Sequence, residues 1–171
     1  MTSFRIGHGY DLHRLQSGGT LWLAGVLVSE ELSPIAHSDG DVAIHALVDA
    51  LLGALALGDI GDHFPNTDPK WLDAPSVLFL DHTMNLVRKA GYQVANADIT
   101  ILAERPRLKP FKGLMIARLR ESLGPAAQVN IKAGTNEGCD AIGQGQAIAA
   151  HAVVLLSRQD ANPSDPTPSR T

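Results

Sequence analysis

The stretch DVAIHALVDALLGALAL, residues 41–57, decides the fold of this chain. Almost all of its residues are apolar, and Gly58, a favoured helix stop, follows it, so the stretch predicts a buried helix. The exceptions, Asp41, His45 and Asp49, are four residues apart and form one polar stripe on that helix. An unpaired polar group in a protein core costs roughly 1–3 kcal/mol. The stripe therefore either faces solvent or has a partner, such as a metal ion or a polar ligand.

Strand and helix patterns alternate on both sides of this helix. Strands are predicted at residues 4–15, 21–29, 94–103 and 128–133, and further helices at residues 74–90, 111–123 and 144–158. Loops separate these elements at residues 33–40, 59–73, 104–110 and 134–143. This order predicts an α+β (two-layer α/β) fold, a ferredoxin-like mixed sheet with helices packed on one face, plus a small N-terminal hairpin.

The length and composition indicate a single soluble, globular domain. The chain has 171 residues, of which 44% are apolar, and this favours one domain over residues 1–158 followed by a disordered tail at 159–171. The net charge of -4 and the lack of a basic run argue against nucleic-acid and membrane partners. A lone cysteine, Cys139, and an N-terminus without an apolar signal core favour the cytoplasm.

The segment GHGYDLH, residues 7–13, lies in the first predicted strand. Residues two apart on a strand share a face, so Asp11 and His13 are expected side by side. Together with His45 they form what we call the metal triad. Two histidines and one carboxylate, with one open position, are typical of a catalytic zinc site. The same set also describes the facial triad of non-haem iron oxygenases, and the residues alone leave iron open.

Four loops carry polar residues suited to phosphate chemistry. The block AHSDGD, residues 36–41, precedes the buried helix, and a helix N-terminus with His37 and Ser38 beside it suits a phosphate. Residues 59–68 offer carboxylates to a polyol, or are simply a solvated acidic loop. Residues 103–109 are basic, and Glu137 in the loop at 133–137 is a hard ligand suited to magnesium. No P-loop motif is present, which excludes a P-loop nucleotidase.

These motifs together resemble the 2-C-methyl-D-erythritol 2,4-cyclodiphosphate synthase family over about residues 4–158. The resemblance is carried by RIGHGYDLH at 5–13, AHSDGD at 36–41 and GDIG at 58–61. It implies a phosphorus–oxygen lyase of the non-mevalonate isoprenoid pathway. Such an enzyme converts 4-diphosphocytidyl-2-C-methyl-D-erythritol 2-phosphate to the cyclic diphosphate with release of CMP. It also implies a homotrimer with active sites between subunits.

The resemblance further implies residue roles. The metal triad would bind zinc, and Glu137 would hold magnesium or manganese against the substrate phosphates. His37 and Thr135 would stabilise the transition state. The implied substrate-binding residues are Ser38, Asp59, Gly61, Phe64, Asn66, Asp68, Ala103, Arg107, Leu108, Lys109, Ala133, Gly134 and Asn136. Two rival hypotheses remain at this point, an iron-dependent oxygenase and a non-enzymatic, metal-stabilised trimeric scaffold.

Overall fold

The structure, a computed structural model, describes residues 3–159. The predicted disordered tail at 159–171 lies outside the described residues except for Gln159. In chain order the strands are β1 (Phe4–Ser17), β2 (Leu21–Leu23), β3 (Val26–Ser29), β4 (Leu32–Pro34), β5 (Tyr92–Leu102), β6 (Gln128–Gly134) and β7 (Ala147–Arg158). The helices are α1 (Val42–Leu55), α2 (Ile60–His63), α3 (Val77–Lys89), α4 (Lys112–Leu123) and α5 (Asp140–Gly143), with a single 3₁₀ turn at Pro69–Trp71.

Five strands form one mixed sheet in the order β4-β1-β7-β5-β6. Only β5 and β6 are parallel, and the other neighbours are antiparallel. Helices α1, α3 and α4 lie on one face, and β2 and β3 form a separate hairpin. The predicted fold class is therefore confirmed. The single strand predicted at 21–29 is instead this hairpin, because Ala24 and Gly25 turn the chain with positive φ.

The prediction of a helix at residues 144–158 is wrong, because most of this segment forms β7, the central strand of the sheet. Alternate residues of β7 from Ile148 to Leu156 are fully buried on the helix side, which is the two-residue period of a strand. A strand buried along most of its length gives an almost continuous apolar run in which this alternation is hidden. Its four alanines and two leucines added a helical bias.

Helix α1 lies directly on the backbone of β1. A Cβ atom built on Gly7 would lie 1.8 Å from the carbonyl oxygen of Ala50, and one built on Gly9 would lie 1.9 Å from that of Ala46. Only glycine permits this approach, because any side chain would overlap the helix backbone. The contact therefore places the side chains of α1 within reach of those that follow on β1. Among residues 3–159, no helix is both long and apolar enough to cross a bilayer.

The opposite face of the sheet has no helix over it within residues 3–159, apart from the end where α5 packs. Its exposed apolar side chains are Phe4, Ile6, Tyr10, Leu12 and Val153. Beside them the rings of His8 and His151 approach with nitrogens 3.2 Å apart. A contiguous apolar face of this kind is typical of a surface that contacts another protein. We call it the open face of the sheet.

Candidate metal centre

Asp11, His13 and His45 converge between β1 and α1. Asp11 and His13 point to the same face of β1, and His45 faces them from α1. Asp11 Oδ2 lies 3.1 Å from His13 Nε2 and 3.0 Å from His45 Nδ1, and the two nitrogens are 3.2 Å apart. A tetrahedral zinc ion with bonds of about 2.0–2.1 Å separates its ligand atoms by about 3.3 Å. The triangle therefore fits one metal ion, as the sequence predicted for these three residues.

Contacts within the metal triad shift the pKa values of Asp11 and His45 in opposite directions. Burial raises the pKa of Asp11, but the hydrogen bonds and charges of His13 and His45 outweigh burial and hold that pKa well below its usual range. Burial lowers the pKa of His45, but the hydrogen bond and charge of Asp11 outweigh it, so the pKa of His45 is raised. Asp11 is therefore a carboxylate at neutral pH. A cation that binds here replaces a proton on the imidazole.

A cavity of about 530 Å³ opens beside the metal triad, and all three triad residues line it. His37 and Ser38, from the loop that precedes α1, form part of its wall. The Nε2 atom of His37 is buried and has no hydrogen-bond partner within the described residues. Buried polar atoms in native proteins are nearly always paired, so this nitrogen is suited to an atom of a ligand. The structure thus brings His37 and Ser38 to the same cavity as the triad.

The loop at residues 59–68 forms the facing wall of this cavity. The predicted residues that line it are Gly61, Phe64 and Asn66. The ring of Phe64 stacks on Phe79 with centroids 4.6 Å apart, which fixes the loop against α3. The carboxylates of Asp59 and Asp68 do not line the cavity, because each caps a short helical turn by accepting a backbone N–H. The sequence predicted carboxylates that are free to bind a polyol, but in the structure both serve as helix N-caps.

A second group of predicted residues lies away from the triad cavity. They cluster at the carboxyl ends of β5 and β6 and are Ala103, Arg107, Leu108, Lys109, Ala133, Gly134, Thr135, Asn136 and Glu137. Within this group Thr135 Oγ1 donates to Glu137 at 3.0 Å. Only β7 lies between β1 and β5, whereas β7 and β5 both lie between β1 and β6. At about 4.8 Å per strand, β5 is therefore about 10 Å and β6 about 14 Å from β1. None of these residues lines the cavity beside the triad of the same chain.

The polar stripe of α1 is paired inside the protein rather than facing solvent. Asp41 accepts hydrogen bonds from the backbone N–H groups of Ala24 at 2.9 Å and Gly25 at 2.7 Å, both in the β2–β3 hairpin. Asp49 accepts from the backbone N–H of Ile60 at 2.8 Å. With His45 in the metal triad, each member of the stripe therefore holds a different part of the fold against α1.

Sequence analysis missed Ser76, which contacts His45 of the metal triad on the ring nitrogen that faces away from Asp11. Ser76 Oγ lies 2.8 Å from His45 Nε2 and donates a short hydrogen bond to Asp39. A serine just before a helix is ordinarily an N-cap, so its position in the sequence gives no sign of this contact. The cavity walls Ile60, Trp71 and Phe79 were missed as well. Their apolar side chains cannot be distinguished from core residues by sequence pattern.

Comparison with known proteins agrees with the site. The YgbB family model matches residues 4–157. The 2-C-methyl-D-erythritol 2,4-cyclodiphosphate synthase of Ectopseudomonas mendocina (strain ymp) is 52% identical over 153 residues, which cover 89% of this chain and 98% of that relative. The chloroplastic synthase of Catharanthus roseus is 48% identical over 158 residues, which cover 92% of this chain and 67% of that relative.

Solved structures agree in the same way. A structure of 2C-methyl-D-erythritol-2,4-cyclodiphosphate synthase in a CDP-bound form superposes with a TM-score of 0.82 at 39% identity, over 90% of this chain and all of that one. The Plasmodium falciparum IspF structure in complex with CDP gives the same TM-score at 32% identity, over 94% of this chain and 99% of that one. By sequence and by fold, this chain belongs to the YgbB family, as do synthases such as that of Ectopseudomonas mendocina.

Proposed function

We propose that this chain is a metal-dependent cyclodiphosphate synthase of the non-mevalonate isoprenoid pathway, a phosphorus–oxygen lyase that acts in the cytoplasm. It converts 4-diphosphocytidyl-2-C-methyl-D-erythritol 2-phosphate to 2-C-methyl-D-erythritol 2,4-cyclodiphosphate and releases CMP. The observation that carries this proposal is the metal triad, which faces a cavity also lined by His37 and Ser38. The 52% identity to a synthase of matching length supports it.

The reaction needs no nucleophile from the protein. An oxygen of the substrate's 2-phosphate bonds to the β-phosphorus, the bond from that phosphorus to the bridging oxygen breaks, and CMP leaves with the electron pair. The metal triad would hold a zinc ion, which would supply Lewis-acid polarisation of a phosphoryl oxygen. The protein contributes mainly orientation, and well-oriented intramolecular reactions gain roughly 7–11 kcal/mol.

The residues around the cavity divide the remaining work. His37 places its unpaired Nε2 against a phosphoryl oxygen and stabilises the charge that develops there. Ser38 binds a phosphate oxygen from the loop that precedes α1. The loop from Asp59 to Asp68 encloses the methylerythritol carbons, with Gly61, Phe64 and Asn66 in contact and the two carboxylates holding the loop in shape.

The cytidine diphosphate end binds at the carboxyl ends of β5 and β6. Loops at the carboxyl ends of adjacent parallel strands are common ligand sites. Arg107 and Lys109 offer cations to the phosphates, and Glu137 would hold a magnesium or manganese ion that screens their charge. Thr135 joins His37 in stabilising the transition state. Two of the solved relatives hold CDP, the nucleotide part of the proposed substrate.

A homotrimer completes this site. Strand β1, which carries Asp11 and His13, and strand β6, which leads to Thr135, are about 14 Å apart in one chain. The open face of the sheet leaves Ile6 73% exposed and Val153 41% exposed. Packing these faces around a shared axis buries the apolar patch. It also brings the β5–β6 loops of one subunit to the triad of its neighbour.

The direct test is CMP release from the CDP substrate with zinc and magnesium present, followed by chromatography, with ³¹P NMR identifying the cyclic diphosphate. We expect His37→Ala to lose most turnover and Lys89→Ala, an exposed residue at the end of α3 that does not line the cavity, to retain it. Failure of the wild-type protein to release CMP above a no-enzyme control would reject the proposal. Metal analysis together with oxygen consumption separates the synthase from an iron-dependent oxygenase.

Subunit mixing tests the shared site. Asp11→Asn disables the triad and Thr135→Ala disables the opposite half of the site, so each variant alone is expected to be inactive. After mixing and subunit exchange, an intact triad can face an intact Thr135 from a neighbour, and part of the activity returns. A site built within one chain gives no recovery, because every chain then carries a defect. Light scattering on each variant confirms that trimers are present.

A further inference from the structure

The imidazole of His45 is held through both of its ring nitrogens. Its Nδ1 faces Asp11 and His13, and its Nε2 lies 2.8 Å from Ser76 Oγ. Ser76 is fully buried, and its hydroxyl donates to Asp39 Oδ1. The backbone N–H of Ser76 donates to the other carboxylate oxygen of Asp39 at 2.9 Å. Carboxylate, hydroxyl and imidazole thus form one continuous hydrogen-bonded chain that ends at the metal triad.

Ser76 does not act as the helix cap that its position suggests. It is the N-cap residue of α3, yet its side chain accepts no hydrogen bond from the first turn of that helix. A serine cap is ordinarily worth about 1 kcal/mol. Here the hydroxyl instead donates to Asp39 and leaves its lone pairs directed at His45. The Ser76 side chain therefore contacts the triad instead of capping α3.

From this geometry we infer that Ser76 and Asp39 are positioning residues for the metal centre. Because the Ser76 hydroxyl donates its hydrogen bond to Asp39, it can only accept a hydrogen bond from the Nε2–H of His45. The imidazole is then fixed in the tautomer whose Nδ1 lone pair faces Asp11 and His13. Partners of this kind orient metal-binding histidines in other proteins, and their loss typically weakens metal affinity 10–100-fold. The inference rests on the metal-binding role proposed above.

Ser38 is a second hydroxyl near the same nitrogen, and the structure separates the two. Its Oγ lies 3.1 Å from His45 Nε2, longer than the contact of Ser76. Ser38 also lines the cavity, whereas Ser76 does not. Ser38 is therefore available to a ligand, while Ser76 is committed to the imidazole. Replacing Ser76 should weaken metal binding more than replacing Ser38.

The test is zinc affinity, measured by competition with a chromogenic chelator. We expect Ser76→Ala to bind zinc 10–100-fold more weakly than the wild-type protein. Thr83→Val is the matched control, because Thr83 is also fully buried on α3 and its hydroxyl has no partner within residues 3–159. That control should bind zinc like the wild type. Thermal unfolding of the metal-free proteins shows whether each variant is folded.

NMR of the zinc-loaded protein with ¹⁵N-labelled histidine gives a second measurement. The wild-type protein should show a proton on His45 Nε2 that exchanges slowly with water, and Ser76→Ala should exchange it faster. Asp39→Asn provides another variant should Ser76→Ala fail to fold, and it too should weaken zinc binding. Unchanged zinc affinity in both folded variants, or no proton on Nε2 in the wild type, overturns the inference. A wild-type protein that binds no zinc overturns the proposed function as well.

Discussion

Gly9→Ala tests whether the close contact between α1 and β1 is what assembles the metal triad. The new Cβ would lie 1.9 Å from the carbonyl oxygen of Ala46 and 2.8 Å from the backbone nitrogen of Ala50. Ordinary carbon–oxygen contacts begin at about 3.3 Å, so α1 must retreat by more than about 1 Å. Overpacking of this kind typically destabilises a protein by about 1–3 kcal/mol. His45 moves with α1, away from Asp11 and His13.

A displacement of this size matters more to the metal than to the fold, because a misplacement of about 1 Å in a site can reduce function roughly 100-fold. Zinc affinity and the free energy of unfolding in urea are measured on Gly9→Ala and on Gly53→Ala. Gly53 lies on α1 with nothing within 4 Å of its Cβ position, so alanine there should stabilise the helix by up to about 1 kcal/mol. Wild-type zinc affinity in Gly9→Ala would refute the reasoning.

Three further predictions follow from the same contacts. Asp41→Ala leaves buried backbone N–H groups unpaired and should lower the free energy of unfolding by about 3 kcal/mol. Asp68→Ala, at an exposed turn, should lower it by less than about 1 kcal/mol. Equal losses for the two variants in urea unfolding would contradict this. Phe64→Ala removes a stacked ring from the cavity wall. The free energy of unfolding, measured by calorimetry, should therefore fall by about 3–5 kcal/mol, and the KM for the substrate should rise. Zinc affinity should fall as the pH drops, because the raised pKa of His45 lets protons compete, while the lowered pKa of Asp11 keeps that carboxylate ionised; calorimetric titrations that give one affinity at all pH values would exclude this.

The parts of the fold that could be predicted are those whose signal is local. The apolar run of α1 gave the helix, and the two-residue spacing of Asp11 and His13 gave their shared face. The stop at Gly58 was placed almost correctly, since α1 ends at Leu55 and Ala56 adopts the left-handed cap. These features depend on a few neighbouring residues, so one sequence is enough to read them.

The parts that could not be predicted depend on distant contacts. β7 is a strand because β1 and β5 pair with it on either side, and its alanine-rich sequence carries no local mark of those partners. Ser76 contacts His45 although the two are 31 residues apart. Asp59 and Asp68 bound the loop that forms one cavity wall, but whether a carboxylate there caps a turn or faces a ligand is decided by the backbone around it.

The stripe Asp41, His45 and Asp49 explains why one helix can organise the part of the candidate site that contains the metal triad. Each residue lies one turn after the previous one. They hold, in order, the β2–β3 hairpin, the metal triad and the first residue of α2. A rotation or one-residue slip of α1 would break all three contacts together, so the polar atoms fix the helix in a single register that apolar packing alone would leave less defined. The buried polar stripe is therefore the element that ties the fold to the chemistry, because the residues that specify how α1 lies on β1 are the same ones that position the metal triad and the wall of its cavity.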